Sequence, residues 1–508
     1  MAAALNAQSI AALQADVIVV GGGGSALASA IFAAQSGARV LLLEKNPHLG
    51  GTTRLSIGSI TATRTELQKR AGIEDSPDEH FEDMAKFAGD LLPKDNLELR
   101  RVLVDNVSES VAWLTSLGVT FFGPMPEPPH RKPRMHNILP NSRAYIYYLR
   151  KEAERVGVEI KLNARVSDLL IEQGRVTGVK VSIDGKDQIA RAGAVVLASG
   201  DTSNSREMKL EARPDLAETD GINPTNTADG QLMGRRAGGY VRNLEVMFAQ
   251  LRFVAPPTTN LLLRLPPWKV LTRTMQLGMR YAPTWLLRPF ILSFVTTFLA
   301  PEPAMFREGA ILVNKRGERF TDEIEQPSQN VPAQPDKVAY ILLDKKLAEI
   351  FSQWPNFVST APGVAYAYLK DYKNTRSDIY HEADSIPELA RKMNVPADAL
   401  EATIRRYNNE GRLEEGRSRP PLDRGPFIAL GPVCNWVVLT DGGLAVTTSH
   451  EVMKQDGEVI PGLYAAGSSG QGGLLLEGHG HHLGWAFTSG RRAGRNAAEF
   501  ARQHGKGA

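Results

Sequence analysis

The chain has 508 residues and a single cysteine, Cys434, so it can form neither an intrachain disulfide nor a cysteine-built metal site. That fits a reducing compartment, and a cytoplasmic location is expected. Neither sign of charge is in large excess. The formal net charge of +3 is too small to argue for a nucleic-acid partner. The N-terminus, MAAALNAQSIAALQA, lacks a basic n-region and a long apolar h-region, so no secretory signal is expected. A further absence is internal. From Val246 to Pro301 there is no Asp or Glu, while Arg252, Arg264, Lys269, Arg273, Arg280 and Arg288 stand among Trp268, Tyr281, Trp285 and many leucines. The run WLLRPFILSFVTTFLA is interrupted by Arg288–Pro289 and is shorter than the roughly 20 residues a spanning helix needs. One reading is a peripheral membrane contact through 260–300, because a basic, aromatic and apolar segment suits a membrane interface. The other is a buried helical hairpin over the active site, or a dimer contact.

What is present starts with glycine: 46 residues, implying many close backbone approaches. At this length two or more domains are the default. DVIVV, Asp16 to Val20, reads as a buried parallel strand. The sequence GGGGSALASAIFAAQSGA then reads as a glycine turn entering an alanine-rich helix that ends near Gly37. RVLLLEK is a second buried strand. Gly21, Gly23 and Ala26 satisfy G-x-G-x-x-[G/A]: a tight turn, a close backbone approach to a pyrophosphate, and close helix–strand packing. Glu44 ends the second strand, where a carboxylate can hold a ribose hydroxyl. Strand, glycine turn, helix, strand and acid in this order make nucleotide binding a specific expectation. AVVLASG, ending at Gly200, and GLYAAG, ending at Gly467, look like further strands of the same sheet. The expected organisation is therefore a nucleotide-binding domain over 1–241 and 435–508, interrupted by an inserted domain over 242–434.

The segment after Glu44, PHLGGTTRLSIGSI, offers Gly50, Gly51, Thr52, Thr53 and Gly58. A glycine and hydroxyl loop directly after the ribose acid suits FAD, whose ribityl chain and ring continue past the dinucleotide. The opening DVIVVGGGGSALASAIFAAQSGARVLLLEKNPHLGGTTRLSIGSI resembles that of the soluble fumarate reductase flavoproteins. So do AVVLASG, NTADGQLMGRRAGG, GAILVNKRGERFTDE, IPGLYAAG and GRRAGRNAA, almost along the whole chain. The resemblance implies an α/β fold: a Rossmann-like FAD-binding domain of the two-dinucleotide-binding flavoprotein type, with an inserted α+β capping domain over the substrate. It implies FAD, held non-covalently, with contacts at Gly21, Gly23, Glu44, Gly51, Thr52, Thr53, Asp229, Gly467 and Ser468. Lys45, Gly58, Val166, Gly200 and Leu483 complete the expected cofactor set.

Substrate residues of the fumarate reductases are not kept. Their proton-donating arginine becomes Pro327, which can neither transfer a proton nor bind a carboxylate. Two of their histidines fall on Arg252 and Leu439, and an arginine falls near His482. Arg307 lies one residue out of register with a relay arginine. A positioned acid typically contributes about 10²–10⁴-fold, so fumarate reduction is not expected. GHGHHLGWAFTSG instead has the gap-free spacing G-x-G-x-x-x-G-x-A-x-T-x-G and resembles the 3-ketosteroid Δ1-dehydrogenases. There a glycine N–H matching Gly480 and a nearby tyrosine bind the ketone oxygen. The tyrosine position is Leu476 here. Tyr366 and Tyr368 match by position the tyrosines that serve as base and support.

Three of the ten histidines, His479, His481 and His482, crowd this glycine-rich turn. A zinc site needs three or four convergent ligands, but His479 and His481 stand on a glycine-rich turn, no cysteine helps and the stretch lies where the flavin is expected, so no metal is expected. His481 or His482 is expected to bond a substrate carbonyl or the flavin C2=O end, with capping of the next helix as the alternative. Arg252 is a candidate anion contact, or a solvated side chain of the basic segment. HRKPRMH, 130–136, reads as a pocket edge or a surface loop. The resulting expectation is an FAD-dependent dehydrogenase acting on the CH–CH bond beside a cyclic or steroid-like ketone. Gly480, His481, His482, Arg252 and Tyr366 form its reactive set, and a quinone or similar acceptor takes the electrons. The alternative is a flavin-dependent ene-reductase of an unsaturated acid or ketone.

Overall fold

The computed structural model describes residues 13–255, 264–283, 292, 296, 299–325, 327–361, 365–410 and 419–504. The two apolar runs flanking the glycine turn, Val17–Val20 and Val40–Leu43, pair in parallel with Val17 opposite Val40. Ala194–Leu197 pairs on the other side of the first strand, and Val459–Ala465 beyond it. Glu159–Lys161 and the antiparallel Glu451–Met453 complete a six-stranded sheet. In spatial order its strands are 451–453, 459–465, 194–197, 17–20, 40–43 and 159–161. Distant parts of the chain thus assemble one sheet. Its central side chains, among them Val17, Ile18, Leu42 and Val195, are completely buried. Each contributes about 1.5–3 kcal/mol through the hydrophobic effect, which pins the register.

Helix Gly24–Gln35 packs on the C-terminal helix His481–His504. The contact is backbone-close: a Cβ on Gly494 would lie 2.1 Å from the Ser29 carbonyl oxygen. A four-stranded sheet, with strands 13–14, 186–191, 175–183 and 164–172, adjoins this layer. A smaller sheet of Ser59–Thr61, Met135–Leu139 and Thr120–Met125 carries the chain from the glycine loop towards the histidine turn.

A second hydrophobic core runs from Leu251 to Val433 and includes Phe253, Phe306, Phe351 and Tyr372. It covers a sheet built around the 14-residue strand Phe427–Thr440, flanked by Ala339–Leu343, Met247–Phe253 and Tyr380–Ala383. The boundary expected at 434/435 falls inside this strand. Met247 pairs with Thr440 and Phe253 with Val433, so backbone hydrogen bonding carries the strand unbroken past Cys434. Asp220–Gly221 also joins this sheet, although it precedes residue 242.

Of the acid-free segment, helix Lys269–Tyr281 is described. Trp268, Val270, Leu277 and Tyr281 are 65%, 80%, 59% and 71% exposed, so its outer face is apolar beside exposed Lys269 and Arg273. Trp285, Arg288 and most of the following apolar run lie outside the described residues. Among the described residues no helix is long and apolar enough to cross a membrane.

Candidate functional site

The nucleotide end is a cradle that side chains would fill. Gly21 has φ +118°, and a Cβ there would lie 2.3 Å from the Ala198 carbonyl oxygen. Gly23 caps helix Gly24–Gln35 in an extended conformation without a side-chain cap, and the first turn carries no acid. Beyond Gly24, the helix presents the N–H groups of its first turn and its positive dipole end, the arrangement that receives a phosphate. Ala26 is fully buried against the sheet. Glu44 sits beside Gly22, and its Oε1 accepts from Asn46 N–H and Nδ2 at 2.7 and 2.8 Å. Burial pushes the Glu44 carboxyl above its usual range, against the Asn46 hydrogen bonds and the Lys45 charge. The Ala164 N–H bonds the Glu44 carbonyl, which brings the strand bearing Val166 to the same edge.

The loop that follows is held by polar contacts that cross the chain. Thr53 Oγ1 accepts the Gly24 N–H at 3.1 Å. Thr52 Oγ1 accepts from Asn223 and Asn226, at 3.1 and 2.9 Å. Lys45 Nζ bonds Thr227 Oγ1 and Asp229, at 2.7 and 2.8 Å, so Asp229 holds a lysine of the cradle. Gly51, Gly58, Gly200 and Gly467 all have positive φ. Ser468 O and Gly200 O both receive Gln231 Nε2. This constellation fits the diphosphate and ribose of FAD, and its Asn223, Asn226 and Gln231 braces carry no motif that marks them in the sequence.

The C-terminal helix then brings the histidine turn to the end of this cradle. Trp485 Nε1 donates to Gly467 O at 3.1 Å, and Gly467 N–H donates to Ser489 Oγ at 2.8 Å. Thr61 Oγ1 donates to His479 O at 2.5 Å, and a Cβ on Gly480 would lie 2.5 Å from Thr61 N. The turn is clamped against strand Ser59–Thr61. Leu483 lies in the first helical turn, half-buried.

The three histidines have different environments. His479 has a 36% exposed side chain, and its backbone N–H and Nδ1 both contact Glu127 Oε1, at 2.7 and 2.5 Å. His482 Nε2 lies 3.1 Å from Asp441 Oδ1, with 26% of its side chain exposed. Burial disfavours its charged form, but the Asp441 contact outweighs this and raises its pKa. Glu477 stands nearby with a pKa raised by burial and by the Asp441 charge. His481 corrects an expectation. It is fully buried, its Nδ1 faces Glu477 O at 2.8 Å, and its Nε2 faces His80 Nε2 at 3.4 Å. The helix starts at His481 and turns that ring into the protein, leaving His479 and His482 as the accessible pair.

The HRKPRMH stretch is not a surface loop. Arg134 is fully buried between Asp75 and Asp83, with Nη2–Oδ1 at 2.7 Å and Nη1–Oδ2 at 2.6 Å. Burial opposes ionisation of Asp83, yet Lys86, Arg134 and Arg131 hold its carboxyl well below the usual range. His130 and His136 are buried, the latter 2.7 Å from Thr65 Oγ1. Arg252 sits on strand Met247–Phe253, and its Nη2 donates to Gln250 Oε1 at 2.7 Å. Burial lowers its pKa to about 10. Tyr366 lies in a three-stranded sheet with its ring packed on Phe357 and Trp354, at centroid distances of 4.8 and 5.4 Å. Glu127 and Asp441 are site carboxylates that sequence reasoning missed, because each meets its histidine only through the fold, whereas Glu477 stands within the histidine turn itself.

The model of the FAD binding domain matches residues 16–261 and 292–474 of this chain. The fumarate reductase (cytochrome) of Shewanella frigidimarina is 29% identical over 506 residues, covering 96% of this chain and 78% of that protein. The open conformation of a flavocytochrome c3 fumarate reductase superposes with a TM-score of 0.71 at 25% identity, covering 96% of this chain and 79% of that one. The 3-ketosteroid-Δ4-(5α)-dehydrogenase of Rhodococcus jostii RHA1, in complex with 4-androstene-3,17-dione, superposes at 0.59 with 25% identity, covering 97% and 99%. The chain belongs to the FAD binding domain family, and it is an FAD-dependent oxidoreductase acting on CH–CH bonds.

Proposed function

We propose that the enzyme desaturates the CH–CH bond next to the carbonyl of a cyclic or steroid-like ketone. The observation that carries this reading is the convergence of Gly480 and the His482–Asp441 pair at the start of the C-terminal helix. A desaturation that begins by removing an α-proton builds negative charge on the ketone oxygen. The first-turn N–H groups of a helix lack intrahelical partners, and with a histidine held by a carboxylate they supply preorganised donors for that charge. Bound FAD supplies the hydride acceptor. Glu477, whose pKa is raised, and Tyr366 are the candidate bases for the α-proton. Leu439 and Pro327 stand where fumarate reductases place a histidine and an arginine, so neither of those two cations is there to hold a dicarboxylate.

A second reading runs the chemistry in reverse, as an ene-reductase of an unsaturated acid or ketone. Arg252 favours it, since a half-buried guanidinium on strand Met247–Phe253 suits a single carboxylate. Anaerobic mixing of the oxidised enzyme with a 3-ketosteroid, a cyclohexanone, succinate and a saturated acyclic acid separates the two. Flavin bleaching by a ketone alone supports desaturation. Reoxidation of the reduced enzyme by an unsaturated acid or ketone, with no bleaching by any ketone, overturns it.

The exposed face of helix Lys269–Tyr281 supports a peripheral contact with an anionic membrane, where an apolar substrate and a quinone acceptor partition. Co-sedimentation with anionic phospholipid vesicles, weakened by Val270→Glu and Leu277→Glu together, is the expected result. Recovery entirely in the supernatant would leave that face to a protein contact.

A further inference from the structure

Three histidines from distant parts of the sequence meet beneath the histidine turn. His80 comes from helix Pro77–Ala85, His130 from the loop that also holds Glu127, and His481 from the start of the C-terminal helix. One ring nitrogen of each lies within 4.8 Å of those of the other two, and all three residues are buried. We propose that His80, His130 and His481 form a binding site for a divalent transition metal of the zinc class, tying the histidine turn to helix Pro77–Ala85 and to the 127–134 loop.

Distance is the first argument. Imidazole nitrogens about 2.0–2.1 Å from a tetrahedral ion stand about 3.4 Å apart. His80 Nε2 and His481 Nε2 are separated by 3.4 Å. Orientation is the second. His481 directs Nδ1 to the Glu477 carbonyl at 2.8 Å, which keeps a proton on Nδ1 and aims the Nε2 lone pair at the other two rings. That is how a ligating histidine is usually braced.

Unpaired atoms are the third argument. His130 Nε2 is buried without a hydrogen-bond partner among the described residues. A bare contact between two Nε2 atoms needs one proton to sit between them, whereas an ion satisfies both lone pairs. Coordination through His130 Nε2 requires its proton on Nδ1. Arg134 Nη1 donates to that atom at 3.0 Å, so ligation requires this contact to give way, with Nδ1–H turning towards Asp83 Oδ2, 4.0 Å away, while Arg134 keeps its own bond to Asp83. Imidazole-only ligation suits zinc, copper, cobalt or nickel over magnesium or calcium. Phe87 lies 4.8 Å from the His130 ring and 5.7 Å from that of His481, closing one side of the cluster. Glu127 stands on the same loop, with Oε2 buried and without a hydrogen-bond partner among the described residues.

The test uses the FAD-loaded protein, stripped with a chelator and titrated with Co²⁺. Expected are one Co²⁺ per chain, ligand-field bands of a four- or five-coordinate ion over the flavin spectrum, and full displacement by Zn²⁺. His80→Phe, which keeps a ring in place, and His130→Gln should each weaken binding at least 100-fold while flavin content stays at wild-type level. An exposed control, His504→Ala, should bind as wild type does. X-ray absorption of the Zn²⁺-loaded wild type should show three imidazoles in the coordination sphere, a readout that survives even if a variant misfolds. Absence of stoichiometric binding, unchanged binding in folded His80→Phe and His130→Gln, or fewer than two imidazoles around the ion would each overturn the assignment.

Discussion

His482 Nε2 lies 3.1 Å from Asp441 Oδ1, and the other oxygen of the same carboxylate accepts the Leu476 N–H at 3.1 Å. Asp441 also receives Gln471 Nε2 at 2.6 Å. One carboxylate therefore fixes both the chain entering the histidine turn and the imidazole leaving it. In the proposed reaction His482→Ala should slow flavin reduction by the active substrate about 100-fold or more, the usual effect of losing a positioned polar catalyst. Asp441→Asn should slow it less, since the imidazole stays but loses its counter-charge. Stopped-flow bleaching reads both. If neither variant changes the rate more than twofold at unchanged flavin content, the pair is only structural.

Glu44 is expected to bind the ribose of FAD with the oxygen that Asn46 does not occupy. A hydrogen bond to a charged group contributes about 1.5–3 kcal/mol. Glu44→Ala should thus raise the dissociation constant of FAD by about 10–100-fold, measured by flavin fluorescence on reconstitution of the apoprotein. An unchanged constant would mean that the buried carboxylate serves only Asn46 and Lys45.

Arg134 bridges two carboxylates and has no exposed side-chain surface. Arg134→Met leaves Asp75 and Asp83 facing each other without their shared cation. Removing one partner of a buried ion pair typically costs about 3–5 kcal/mol, so the denaturant midpoint should fall sharply. Asp75→Asn and Asp83→Asn added to the methionine variant should recover part of that loss.

His450 is fully buried, packs on Trp485 at 5.4 Å, and among the described residues has no hydrogen-bond partner for either ring nitrogen. Burial, with the nearby Arg492 charge, pushes its pKa down to about 3 from the usual 6.5. Between those values the unfolded chain binds a proton that the folded chain refuses. The folded state therefore loses stability as pH falls through 6.5 towards 3, by about 1.4 kcal/mol per pH unit from this residue. His450→Phe should remove that share of the slope, read as a flatter midpoint against pH between 6 and 4. An identical slope in the variant would assign the acid sensitivity elsewhere.

The nucleotide half was legible in the sequence because its chemistry is local. Strand, glycine turn, helix, strand and Glu44 follow one another within about 30 residues, and each part fixes its own backbone by sterics and period. The later strands ending at Gly200 and Gly467 were legible for the same reason: apolar runs that must be buried on both faces can only join the sheet. The histidine turn was visible as a segment, but the role of each ring was not. Whether an imidazole faces substrate, a carboxylate or another imidazole depends on what packs against it.

Those partners are far away along the chain. His80 and His481 are 401 residues apart, and Glu127 and His479 are 352 apart. No spacing rule links them, and the histidine turn holds only one of the three clustered histidines. The sequence alone determined the family and the cofactor cradle. Only the tertiary structure decided that His481 turns inward, that His479 and His482 keep solvent, and that Arg134 is an interior cation. The physical reason is that backbone periodicity acts over a few residues, whereas pairing of buried polar groups is enforced wherever the folded chain brings them together.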